Sequence, residues 1–123
     1  MKQISLGGSC RLVGKTITDD HGRPCWAYKG AKWYVVLTTA TVPRQGYFYY
    51  FEKKRVRRIL RKLPIGVPMG FKSVSKILRL VEGSSVGGYM MLRRADYFVQ
   101  LLKAIGHAKF VGRSGRELRY EIT

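Results

Sequence analysis

Wherever side chains with usable chemistry recur in a pattern along this sequence, the pattern is cationic. Lys54, Arg57, Arg58, Arg61 and Lys62 follow one another at helical steps between residues 52 and 63. Lys72 and Lys76 come next, then Arg93 and Arg94 with Tyr97 and Gln100, and near the end "GRSGRE" sets Arg113 and Arg116 among glycines. Rows of guanidinium and ammonium groups donate charge-assisted hydrogen bonds to phosphate or carboxylate oxygens. A turn that only reversed the chain would need Gly or Asn, so the arginines of "GRSGRE" look built to touch an anion.

Residues for bond-making chemistry are sparse by comparison. His21 and His107 have no catalytic partner by spacing, and Cys10 or Cys25 would need one of them nearby to act as a nucleophile. Asp19 and Asp20, followed by Glu52, Lys53 and Lys54, faintly echo the carboxylates and lysine of a metal-dependent nuclease. Asp19-Asp20, however, reads as turn chemistry beside Gly22, and Glu52 as the head of a helix. Two cysteines and two histidines without zinc-finger spacing give no metal site. The expectation is non-catalytic binding, with no metal and no cofactor.

The charge says what would be bound. Lys and Arg number 24 against seven Asp and Glu, a formal +17, and a chain so cationic repels itself unless something anionic lies beside it. Polynucleotide phosphate is the commonest such partner. A membrane surface would call for an exposed aromatic or leucine-rich helix face, so no membrane partner is expected. Apolar residues make up 46% of the chain, which excludes a disordered basic tail. At 123 residues there is length for one domain, with or without a small appendage, and for a core of its own. The apolar runs are too short to cross a bilayer, and "MKQISLGGSC" lacks the apolar region of a secretory signal, so a cytoplasmic protein associated with nucleoid or ribosome is expected. There is no Asn and there are only three Gln, a depletion of thermolabile amides found in hyperthermophile proteins. In such a cytosol Cys10 and Cys25 could pair.

These residues must be carried by two stretches of different character. Residues 1–51 hold nine of the fifteen aromatics and read as four or five short antiparallel strands, with turns at "DDHGR", "KGAK" and "VPRQG". Within them "YFYYF" suits a strand buried on both faces better than a platform for stacked bases. Residues 52–123 hold 17 basic against five acidic residues. Val56, Ile59, Leu60 and Leu63 form one face of a first helix, stopped by Pro64 and Pro68; Val74, Ile77, Leu78 and Val81 repeat the spacing, with Ser73 as N-cap. After "EGSSVGG" a third helix runs from about Met90 to Ile105 and ends at Gly106. Two strands close the chain around "GRSG".

The order helix, helix, turn, helix, hairpin, and above all "LLKAIGHAKFVGRSGRELRYEIT", resembles the winged helix-turn-helix family. The resemblance covers residues 52–123 and implies an α+β chain: a small aromatic antiparallel β-rich N-terminal part, then a three-helix winged helix-turn-helix with a C-terminal β-hairpin wing. It further implies double-stranded DNA as partner, read in the major groove by the third helix through Arg93, with Arg94, Tyr97 and Gln100 beside it. Ser84 and Ser85 would offer groups to a phosphate, and Arg113 and Arg116 would grip backbone or minor groove from the wing. The N-terminal sheet would then be the part to join two copies as a homodimer across two half-sites. A transcriptional regulator and a nucleoid-type protein both fit. The rival is a structural RNA-binding protein of the ribosome or a similar particle, since basic residues recur on every expected element and folded RNA is gripped by shape and phosphate.

Overall fold

The computed structural model of the chain describes residues 2–5, 10–38, 45–83 and 88–123. Five strands come first: β1 (Lys2–Ser5), β2 (Arg11–Ile17), β3 (Pro24–Lys29), β4 (Trp33–Thr38) and β5 (Gln45–Glu52). Three helices follow, α1 (Lys53–Lys62), α2 (Phe71–Glu82) and α3 (Gly88–Ala104), then the hairpin β6 (Ala108–Ser114) and β7 (Glu117–Ile122).

The first five strands form one antiparallel sheet in the order β1-β5-β4-β3-β2. β1 and β2 are its two edges although only residues 6–10 separate them, so the twisted sheet must curl to bring its edges within that reach. Strand alternation sends Cys25, Ala27, Val36, Tyr49 and Phe51 to one face and Tyr28, Val35, Leu37 and Phe48 to the other, and all nine are buried. A strand packed on both faces has no polar side, which is why "WYVVL" and "YFYYF" read as near-continuous apolar runs. Within "YFYYF", Phe48, Tyr49 and Phe51 are core, whereas Tyr47 and Tyr50 stay exposed.

The helices cover the first face. α3 lies against it so closely that a Cβ added at Gly14 would come within 3.2 Å of the Ala104 Cβ. Tyr49 stacks on Tyr97 at 4.6 Å between ring centroids, and Phe51 meets Phe98 at 5.3 Å. α1 and α2 close over the far side through Val56, Ile59, Val74 and Leu78. The wall is completed by β7, whose Tyr120 is fully buried and bridges in register to Met69, while Ile122 bridges to Ile65. Cys25 belongs to the core beneath the helices and Cys10 packs against the cluster on the opposite face, so both thiols are free and the pairing that composition allowed does not form.

This architecture corrects the winged helix-turn-helix expectation. Strands stand at both ends of the chain with the three helices between them, instead of a helical domain finished by a projecting wing. One core runs from the N-terminal sheet through all three helices to the hairpin, and the hairpin contributes Ala108, Leu118, Tyr120 and Ile122 to it. The α3 expected to stand free for a DNA groove is the most enclosed helix: Met91, Ala95, Tyr97, Phe98, Val99, Gln100, Leu101 and Leu102 are all buried. Its sides are taken by the sheet, α2 and the hairpin. A helix apolar on nearly every side belongs in a core.

Candidate nucleic-acid interface

α1 is the most charged element of the molecule. Its sequence KKRVRRILRK has seven basic residues in ten and no acid. Val56 and Ile59 anchor it in the core, and Lys54, Arg57, Arg58, Arg61 and Lys62 are all exposed, as the sequence led us to expect. Lys53 and Arg57, Lys54 and Arg58, Arg57 and Arg61, and Arg58 and Lys62 each lie four residues apart. Such like-charged pairs are destabilising by about 0.2–0.5 kcal/mol each at low salt. Lys53, Lys54 and Arg55 also crowd the first turn, where the helix dipole is already positive. The Glu52 side chain, at the N-cap, makes no capping hydrogen bond. By itself α1 is electrostatically strained over its whole outer face.

The strain extends into the sheet. Strand register sets Arg11 opposite Lys29 and Lys29 opposite Tyr34, a row across the end of the sheet nearest the start of α1. The Lys53 ammonium lies 5.8 Å from the centre of the Tyr34 ring. Partial loss of hydration and the positive charges of Lys29, Arg57 and Arg11 lower the Lys53 pKa. Lys53 and Arg57 together form the ridge between two clefts. One, of about 320 Å³, runs to Lys32, Trp33, Glu52 and Lys54; the other, of about 260 Å³, runs to Lys29, Tyr34 and His107. Trp33 keeps 44% of its surface exposed and touches Tyr50 edge to face at 5.9 Å.

A second basic group forms at the hairpin. Lys72 of α2 and Arg113 and Arg116 of β6–β7 line one groove of about 450 Å³, with Asp20 and Glu117 in its walls. Arg113 also donates a hydrogen bond of 3.1 Å to the Asp19 carbonyl, so it is partly committed to holding the β2–β3 turn. Lys76 is exposed further along α2, beside Arg79 and Leu80.

The residues assigned to groove reading do not reach the surface as expected. Tyr97 and Gln100 are 2% and 1% exposed. Arg94 is spent on structure: it forms a bidentate pair with Glu82 at 2.6 and 2.8 Å, donates to the Tyr50 carbonyl at 2.7 Å and lies over the Phe51 ring at 4.3 Å. Arg93 is half-buried with its guanidinium against the Tyr49 hydroxyl. Ser84 and Ser85 lie outside the described residues.

The acids are not arranged as a nuclease site either. Asp19 and Asp20 occupy the β2–β3 turn, while Glu52 pairs in register with Trp33 at the other end of the sheet. Asp19 accepts hydrogen bonds from the Tyr120 hydroxyl at 2.7 Å and the Lys103 ammonium at 2.9 Å. Burial, and then the bond to Asp19, raise the Tyr120 pKa. Burial pushes the Cys25 thiol up to about 12, so it is an inert core residue.

Sequence reasoning missed Arg11, Lys29, Lys32, Trp33 and Lys53. In the sequence "KGAK" reads only as a spacer between strands, yet Lys32 borders one cleft and Lys29 the other. The usable signal is Trp33-Tyr34 directly after the two lysines of "KGAK"; what joins it to α1 is long-range packing. Compared with known proteins, the chain matches no family model, no curated protein and no solved structure.

Proposed function

We propose that this protein is a non-catalytic nucleic-acid-binding protein that grips the phosphate backbone of folded RNA, as a structural component of a ribonucleoprotein particle. The observation that carries the reading is α1: a ten-residue helix with seven cations and no acid, whose like charges a polyanion along its outer face would relieve. The choice of RNA follows from where the charge lies. Cations stand out on α1, on the end of the sheet and around the groove between α2 and the hairpin, a distribution suited to burial among several phosphate strands. Reading a DNA major groove needs a helix free to enter it, and the buried α3 is not.

The test is a titration of the purified protein against structured RNA, duplex DNA and single-stranded DNA at several salt concentrations. Tightest binding to structured RNA, with log affinity falling steeply against log salt, is expected. Reversing α1 through Arg58→Glu and Arg61→Glu should weaken binding to every RNA about equally, because phosphate contacts carry no sequence information. Equal or stronger binding to duplex DNA would favour a DNA-coating protein, and no retention of any nucleic acid in dilute buffer would end the reading.

A further inference from the structure

We propose that the cleft between the β3–β4 turn and the start of α1 holds one unpaired nucleotide, its base against Trp33, its phosphate on Lys53 and Arg57, and an exocyclic amino group donating to Glu52. This rests on the nucleic-acid reading above and adds a defined subsite to it. At about 320 Å³ the cleft falls within the range of small-ligand sites, about 300–1,000 Å³.

Three features converge there. Trp33 presents an indole that keeps 44% of its surface exposed, edge to face with Tyr50, which is open as well, and an indole is a side chain on which an unpaired base stacks. Lys53, Lys54 and Arg57 stand on one wall, Lys53 with its charge crowded by three neighbouring cations. Glu52 is the feature a bare phosphate site would not contain, since its carboxylate repels phosphate oxygens. It caps no amide of α1 and, among the described residues, pairs with no cation, although lysines flank it. A ligand with phosphate at one end and an amine at the other uses both signs of charge. Adenine, cytosine and guanine carry such an amine; uracil carries none.

The subsite gives a base preference to a protein whose other contacts are to backbone. Three RNA hairpins with one stem and loops of adenines, cytosines or uridines are compared with a blunt duplex of equal phosphate number, by fluorescence anisotropy. The wild-type protein should bind the loops on the order of tenfold tighter than the duplex. It should also bind the adenine and cytosine loops tighter than the uridine loop. Trp33→Leu, checked for folding by its melting curve, should lose the advantage of loop over duplex and keep its affinity for the duplex. Glu52→Ala should lose the discrimination among loops. Independently of any variant, the adenine loop should quench tryptophan fluorescence and the duplex should not. A loop advantage that survives Trp33→Leu, or wild-type protein that binds loops no tighter than duplex and without quenching, overturns the subsite and leaves backbone binding standing. Failure to retain all four RNAs removes the backbone reading, and the subsite with it.

Discussion

Asp96 shows how one side chain can tie the stability of the molecule to pH. It lies on α3 near the β2–β3 turn, where burial and the negative charges of Asp20 and Asp19 oppose its ionisation, while the Gln100 amide and the Arg23 guanidinium favour it. Burial dominates, and the carboxyl is pushed up to about 6 from 3.8. A carboxyl raised in the folded state favours folding while it is protonated. Its contribution is complete below the ordinary value of 3.8 and is lost as pH rises through about 6. Asp96→Asn keeps the shape and removes the ionisation. The variant should therefore be more stable than wild type at pH 8, by on the order of 2 kcal/mol once residual solvent screening is allowed for, and melt higher. The gap should close as pH falls toward 4. Thermal melts of both proteins across that window check it; a gap that does not change with pH would mean that Asp96 is ionised in the fold. Nothing in "RRADYFVQLL" discloses this, because the acids that press on Asp96 come from a turn about seventy-six residues earlier.

At the scale of elements, what sequence could disclose depended on how many neighbours each element has. α1 packs only its inner stripe, so the spacing of Val56, Ile59 and Leu63 and the opposing row of cations were legible in full. α2 begins at Phe71 with Gly70 as N-cap, three residues before the expected N-cap Ser73, because its first turn packs Phe71 against Tyr120 at 5.4 Å. α3 misled for the opposite reason. The resemblance puts Tyr97 and Gln100 beside Arg93 on a groove-facing side, yet the sheet stacks Tyr49 on Tyr97 there and both residues are buried. The compact run "YFVQLL" was itself the sign of a helix enclosed all round, and the winged-helix resemblance hid it. The charge on α1 has a consequence that separates stability from binding. Arg58→Glu places an acid four residues after Lys54 and four before Lys62, turning two repulsive pairs into attractive ones. The free protein should gain about 1–2 kcal/mol in denaturant unfolding at low salt. The same change should weaken RNA binding and lower the slope of log affinity against log salt by about one or two. A variant that loses both stability and affinity would show that Arg58 has a structural role in the free protein.

At the scale of the whole molecule, the aromatic N-terminal strands and the basic C-terminal helices were legible as two compositions, and their junction falls where β5 passes directly into α1. Their union was not, because it is made by contacts between residues far apart in sequence. Phe51 meets Phe98, Gly14 admits Ala104, and the Tyr120 hydroxyl closes on Asp19 across the full length of the fold. Phe98 is the residue on which this union can be tested, since it is fully buried and touches the sheet from the centre of α3. Phe98→Ala leaves a cavity at that junction and should cost about 3–5 kcal/mol. The informative readout is the shape of unfolding. Far-ultraviolet circular dichroism follows the helices, and tryptophan fluorescence follows the sheet, because Trp26 and Trp33 lie in β3 and β4. With one shared core the two signals should move together to a lower denaturant midpoint in the variant, as a single transition. If instead fluorescence kept its wild-type midpoint while the helical signal fell early, the sheet would be holding itself together without α3. The cations of Lys29, Lys32 and α1 would then belong to separately folding units, and the continuous basic surface on which backbone binding is argued would lose its rigid support.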